Sequence, residues 1–395
     1  MNRRERLMNT LAGRPVDRPA VCFYEINGLD ETADRADPAD RGDPADWQDP
    51  VDVPDSFNIY SHPSWAPLID LAREKSDRIV MRPVRFPDAP DPVEESKKVE
   101  VWYAENGSRY ERRAIQCGKR TLTSVTRRDP DINTIWQVEH LFKDAEDVRV
   151  FLELPSSGPP GKPDIQGVLE TERELGDSGL VMIDTPDALC QAASLFHLAD
   201  FTILALTDPA LFHRLLDRFA ADLQPRTEAV ARALPGRLWR IYGPEYASPP
   251  YLHPRQFHEF VVNYDLPMVK AIQQHGGYAR IHSHGRLRLI LDGIISTGCD
   301  GLDPIEPPPQ GDMRLAEVRE RCGQQMVLFG NLEASDIENL PADEFREKVR
   351  CALEEGVGGR GFVLMPSSCP YGRVLTERAL KNYEVMIEEV NIVGG

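Results

Sequence analysis

The chain lacks any apolar run of the about 18 to 20 residues that a bilayer demands. Its richest short stretch, Leu287–Ile295, is broken by Arg288 and Asp292. Positive charge is also scarce: 46 Lys and Arg stand against 64 Asp and Glu, for a net charge of −18. Such a field repels phosphate backbones and anionic lipid, so neither a nucleic-acid nor a membrane-surface role is expected. The seven cysteines (Cys22, Cys117, Cys190, Cys299, Cys322, Cys351 and Cys369) are odd in number and form no tight pair. Free thiols in a reducing cytoplasm are the natural reading. Behind the basic start Arg3-Arg4-Glu5-Arg6 no apolar segment follows, so no secretory signal is read there. Glycine-rich phosphate loops are missing too, since no strand runs into G-x-G-x-x-G or G-x-x-x-x-G-K-[ST]. Gly356-Val357-Gly358-Gly359-Arg360-Gly361 precedes a strand and reads as a helix end with a tight turn.

What is present suffices for a large core: 395 residues, 41% of them hydrophobic. From about residue 178 the pattern alternates between short apolar strands and amphipathic helices. Strands are expected at 179–183, 238–242, 278–283, 301–305, 326–330 and 361–365. Helices are expected at 187–198, 208–233, 254–275, 286–297, 313–322, 342–355 and 373–390. Continuous apolar strands between helices imply parallel strands covered on both faces. With 19–24 and 78–82 added at the front, the count approaches the eight of a TIM (β/α)8 barrel, with a doubly wound open sheet as the fallback. A single domain over 1–395 is expected, with two excursions. Residues 97–125 alternate across Asn106-Gly107 as an antiparallel hairpin. Residues 30–55, rich in Asp, Ala, Pro and Arg, have too few large apolar side chains to fold alone and read as a long acidic loop.

Reactive groups of a parallel barrel gather at the C-terminal ends of its strands. There the sequence places Glu245, His282-Ser283-His284, Asp303-Pro304-Ile305-Glu306, Asn331-Leu332-Glu333 and Cys369. Histidines at i and i+2 on a strand share a face, so His282 and His284 both reach the mouth. With Cys369 and the carboxylate of Glu245 they make a candidate zinc site. The alternative on spacing alone is a polar pocket lining, with Cys369 as a small packed residue. Tyr24, Glu25 and Asn27 follow the first strand and are candidate substrate contacts. Glu306 and Asn331 end later strands and are candidate cofactor contacts.

Several stretches resemble the uroporphyrinogen decarboxylase superfamily, and more closely its branch of zinc-dependent corrinoid methyltransferases, the corrinoid:coenzyme M methyltransferases among them. They are Arg4-Glu5-Arg6 through Gly13-Arg14-Pro15-Val16-Asp17-Arg18-Pro19, Tyr251–Phe257, Ala279–Gly285, Leu291–Ile295, Thr297–Pro308, Leu328–Leu332 and Gly361–Pro366. The likeness covers both chain ends and nearly everything after about residue 235; residues 30–130 carry little of it. It implies a uroporphyrinogen decarboxylase-like barrel with zinc held at positions that fall on His282, His284 and Cys369. His284 departs from that branch, which has cysteine there. An imidazole in place of a thiolate makes the site less electron-rich and more Lewis acidic. Glu245 falls where the superfamily often ends a strand with an acid.

The resemblance implies methyl transfer between a small-molecule donor or acceptor and a corrinoid (cobalamin) or tetrahydrofolate carrier, with zinc activating one substrate. A separate corrinoid protein is an expected partner, and a homodimer is compatible with the sequence. Two alternatives stand beside it. One is metal-free uroporphyrinogen decarboxylation. That reaction calls for an arginine motif after the first strand, where this chain has Phe23-Tyr24-Glu25-Ile26-Asn27-Gly28. The other is a non-catalytic corrinoid- or metal-binding barrel.

Overall fold

The computed structural model describes residues 1–31 and 55–394. Most of the expected acidic loop, 32–54, therefore lies outside the described residues. In chain order the strands are β1 (Ala20–Val21), β2 (Arg78–Arg82), β3 (Lys97–Tyr103), β4 (Arg109–Cys117), β5 (Arg120–Arg128), β6 (Ile135–Glu139), β7 (Gly179–Pro186), β8 (Leu238–Tyr242), β9 (Tyr278–His282), β10 (Gly301–Asp303), β11 (Val327–Leu332) and β12 (Phe362–Pro366). Eight of them form one parallel sheet in the order β1-β12-β11-β10-β9-β8-β7-β2. Helices cross between successive strands, and β1 and β2 meet at Asp77. Its N–H donates to the Val21 carbonyl at 2.6 Å, while its carboxylate accepts from the Val21 N–H at 2.9 Å. The architecture is the α/β TIM barrel expected from the strand–helix alternation.

The first helix, Arg3–Leu11, explains how the bottom of the barrel is stopped. Asn2 caps it, accepting from the Glu5 N–H at 2.7 Å while the Glu5 carboxylate takes the Asn2 N–H at 3.0 Å. Leu7 and Leu11, four residues apart and so on one face, enter the barrel interior against Ile79, Leu180, Leu238, Val327 and Val363. Burying such a leucine contributes about 1.5–3 kcal/mol. Outside the barrel the long helix Pro209–Ala233 opens with Asp208 as its cap and Pro209 in its first turn.

Two sequence expectations change in detail. The helix expected over 254–275 is three pieces: Pro254–Phe257, a π turn His258–Val262, and Asn263–Gln274. Pro267 offers no N–H to the carbonyl four residues back, which disturbs the regular ladder just after the π turn. The antiparallel excursion is larger than the hairpin expected at 97–125. β3-β4-β5-β6 form a four-stranded sheet that extends to Glu139. Its first turn falls at Asn106-Gly107, where Gly107 takes φ +83°, a left-handed backbone that glycine adopts without a Cβ clash. Among the described residues no helix is long and apolar enough to cross a membrane.

Candidate active site at the barrel mouth

Strand register builds the site. β8 and β9 each carry one arginine flanked by apolar residues, and Arg240 lies level with both Asp184 of β7 and Arg280 of β9. A buried guanidinium needs a carboxylate partner: Arg240 has Asp184 at its own level, and Arg280 has Asp303, two residues further along β10 than its register partner Gly301. Arg240 donates to both Asp184 oxygens, at 2.6 and 3.1 Å, and to the Tyr24 hydroxyl oxygen at 2.9 Å. Burial would weaken its hold on a proton, but Asp184 more than compensates and the guanidinium is held more firmly than usual. Arg280, nearly inaccessible, lies over the Phe329 ring at 4.8 Å and pairs with Asp303 at 2.9 Å.

One level higher, His282 of β9 is the register partner of Asp303 of β10. Its Nδ1 lies 2.8 Å from the Asp303 carboxylate, and His284 Nδ1 lies 2.7 Å from Glu306. The second Glu306 oxygen accepts the Gly285 N–H at 2.6 Å. Carboxylates only accept, so each Nδ1 carries hydrogen, and in a neutral ring Nε2 keeps its lone pair. The rings stand perpendicular, with centroids 4.6 Å apart. Burial pushes the Asp303 carboxyl up, yet Arg280 and His282 together bring it down to about 2. His284 goes the other way: against burial, Glu306 raises its affinity for a proton.

Around this pair the expected residues fall into different places. Tyr24 lies under His282, with ring centroids 6.4 Å apart, in a left-handed backbone (φ 54°) that a residue with a Cβ adopts only under constraint. Glu25 is drawn upward by burial and shares a hydrogen bond with the Cys369 thiol. That thiol is pushed up to about 12 by burial and by Glu25, and it also receives the Asn133 amide at 3.7 Å. Asn331 is buried in β11, level with Met365.

Not all of the expected site residues converge in this arrangement. His282 and His284 come together, but among the described residues no three His, Cys, Asp or Glu side chains gather closely enough to hold a metal ion. Cys369 sits with Glu25 and Asn133 instead, and Glu245 turns back to accept the Gly243 N–H at 3.2 Å. Asn27, expected as a substrate contact, organises its own loop. Its amide donates to the Glu25 carbonyl (3.0 Å) and to Asp30 (2.9 Å), and its oxygen accepts the Leu29 N–H (2.9 Å), so both ends of the side chain are committed. Glu306, expected to touch a cofactor, braces His284 and the following turn.

The sequence reading missed Asp184, Arg240 and Arg280, and it placed Glu333 at a strand end without giving it a role. The arginines were visible as single charges inside apolar strands, a pattern that demands inward partners. Glu333 needed the structure: burial and neighbouring Glu306 push its carboxyl up to about 7, and one of its oxygens has no partner.

These features define a parallel barrel whose mouth carries two histidines, one held by a carboxylate of the next strand and the other by a carboxylate just beyond it. Residues 189–392 match the family model described as uroporphyrinogen decarboxylase (URO-D), and the chain belongs to that family. The fold is shared with a methyltransferase from Methanosarcina mazei at TM-score 0.60 and 17% identity, covering 98% of this chain and 99% of that one. Weaker likenesses include a Cellulomonas fimi endo-beta-1,4-mannanase double mutant (TM-score 0.37, 14% identity, 61% of this chain and 57% of that one). Another is D-psicose 3-epimerase from Clostridium cellulolyticum H10 (TM-score 0.31, 12% identity, 58% of this chain and 93% of that one). No curated protein matches the chain.

Proposed function

We propose that the protein is a zinc-dependent methyltransferase that moves a methyl group between a small substrate and a corrinoid or tetrahydrofolate carrier. The observation that carries this reading is the pair of braced histidines. A metal-ligating imidazole characteristically donates its other N–H to a carboxylate, which fixes the ring and raises the basicity of the free nitrogen. His282 with Asp303, and His284 with Glu306, have that arrangement. Family membership and the fold shared with the Methanosarcina mazei methyltransferase agree with it.

The donor chemistry fits zinc: His282, His284 and Cys369 would hold the ion, and Cys369 has to leave Glu25 and turn toward the histidines. Bound there, zinc supplies Lewis acidity toward a heteroatom of the substrate. The remaining work belongs to the chain. Glu25, beside the thiol, is placed to take its proton. Tyr24, pinned by Arg240, supports the His282 ring from below. Exposed Tyr251, Leu289, Tyr371 and Val374 lie on loops that follow β8, β9 and β12. They offer an apolar rim on which a separate corrinoid protein can seat and exclude water.

The decarboxylase reading loses support on one point. Arg240 and Arg280 point into the barrel, but Asp184 and Asp303 already neutralise them, so neither is a free cation awaiting a polycarboxylate. The test measures zinc content, then methylcobalamin formation from cob(I)alamin with methyl ethers, thiols and amines, in the native protein and in His282→Ala and Cys369→Ala. One equivalent of zinc, with turnover lost in both variants, is expected. Metal-free decarboxylation of uroporphyrinogen, unchanged by either substitution, would hand the site to the decarboxylase reading.

A further inference from the structure

The Tyr60 hydroxyl is buried and has no hydrogen-bond partner. It lies within the electrostatic reach of Cys369 and Glu25, on the side of the mouth where the thiol stands. The side chain is held in that position. Its own N–H donates to the Asn58 side chain at 3.1 Å, inside the short turn Ile59–Ser61. Its ring stands edge-on to Trp65 with centroids 5.0 Å apart, and the buried Trp65 donates its indole N–H to the Arg373 carbonyl at 2.7 Å. A buried donor without an acceptor costs stability, which a ligand bringing a lone pair to that spot would return.

Space for such a ligand adjoins the hydroxyl. Tyr60 and Asn133 both line a cavity of about 810 Å³ between the four-stranded sheet and the helix Pro209–Ala233. Asn133 also donates to the Cys369 sulfur at 3.7 Å and to the Pro370 carbonyl at 3.3 Å, so the cavity wall is at this point the wall of the mouth. Phe57, Ile115, Phe151, Phe219 and Leu223 give the cavity apolar surface. Its volume lies within the range of small-molecule sites, which combine apolar walls with a few placed polar groups. Among the described residues that line it, acids and bases are equal in number, six of each, so no sign of charge prevails.

The chemistry of the hydroxyl narrows the ligand. A phenol keeps its hydrogen at neutral pH, so Tyr60 has one to donate. An ammonium offers no lone pair to receive it, and a thioether sulfur accepts only weakly. An ether oxygen accepts well and carries no charge, which suits a cavity of balanced sign.

We propose that the cavity admits an uncharged methyl ether with an apolar body, and that the Tyr60 hydroxyl donates to the ether oxygen and so sets the methyl group beside Cys369. The inference rests on the methyl-transfer reading only in making the ether a methyl donor; the hydrogen bond stands separately.

Methoxybenzene and ethylbenzene, which differ by an oxygen in place of a methylene, test it in calorimetric titrations of the native protein and of Tyr60→Phe. The native protein prefers methoxybenzene about tenfold, the worth of one hydrogen bond to an otherwise unpaired donor. In Tyr60→Phe the preference disappears while the melting temperature holds or rises, because only an unpaired buried group has been removed. A tyrosine of purely structural value would give the reverse, a lower melting temperature and an unchanged preference. Thr126→Trp, which fills the cavity from β5, abolishes binding of both compounds with an unchanged circular dichroism spectrum. The inference is overturned if neither compound binds, if the native protein does not prefer the ether, if the preference survives Tyr60→Phe, or if Thr126→Trp leaves both affinities unchanged. Ether binding that behaves as stated, with no methyl transfer to any carrier, would overturn the methyl-transfer reading alone. Methyl transfer from ethers with the same KM in Tyr60→Phe would overturn the role of Tyr60 alone.

Discussion

The two ends of the barrel handle charge in opposite ways. At the bottom, fully buried Asp77 accepts from Arg6 at 2.5 Å, from Arg18 at 2.8 Å and from the Val21 N–H at 2.9 Å. It joins the first helix, the entry to β1 and the start of β2, and it does not figure among the buried unpaired atoms. At the mouth the Tyr60 hydroxyl, the Ser283 hydroxyl and one oxygen of Glu333 are buried without partners. Satisfied networks rigidify, whereas unpaired buried groups cost stability and persist where a ligand can complete them. The difference separates a staple from a site. It follows the general division of such barrels, with chemistry at the C-terminal ends of the strands and stability at the other.

The largest test breaks the staple. Asp77→Ala leaves two guanidiniums facing a buried void and should cost about 3–5 kcal/mol in urea unfolding. Chemistry at the mouth should be untouched in the fraction that remains folded. A loss under about 1 kcal/mol would show the bottom to be no more tightly built than the mouth.

Next comes the brace. Glu306→Gln keeps the shape but weakens the hold on His284 Nδ1, and zinc affinity should fall about 10–100-fold. Competition with a chromophoric chelator measures this, while circular dichroism should show the fold intact. Equal affinity in the variant would mean that the carboxylate–histidine pairing does not serve a metal.

The third effect is titratable. Folding lifts the Glu333 carboxyl from its ordinary 4.5 to about 7. The folded state therefore binds more protons than the unfolded one between those values, and stability falls as pH rises through that window. Below about pH 4.5 both states are protonated and the contribution vanishes. Glu333→Gln should match the native protein near pH 4.5 and exceed it by about 1–3 kcal/mol at pH 8. A gain of equal size at both pH values would assign the effect to packing and not to ionisation.

The smallest effect lies far from both ends. Gly107→Ala forces a Cβ onto a φ of +83° and should cost about 1 kcal/mol or somewhat more, through the turn alone. Zinc binding at the barrel mouth should persist.

Part of this molecule was legible in the chain itself. Strand–helix alternation after residue 178 predicts the barrel, because short apolar strands between amphipathic helices bury both faces of a parallel sheet. The bounds of β2 and β8 coincide with expectation. His282 and His284 were marked by strand-end spacing, and Asn106-Gly107 marked its turn by backbone chemistry that only a few residues tolerate. β6 escaped because its five residues, Ile135 to Glu139, stand at the edge of a sheet, mostly exposed, with no buried face to impose a pattern. What only tertiary structure decided is which groups meet across strands. Asp303 reaches His282, Asp184 reaches Arg240, and Cys369 joins Glu25 instead of the histidines. Periodicity along a strand fixes the face on which a side chain lies. Its partner depends on register between strands far apart in sequence, and register is set by packing of the whole barrel.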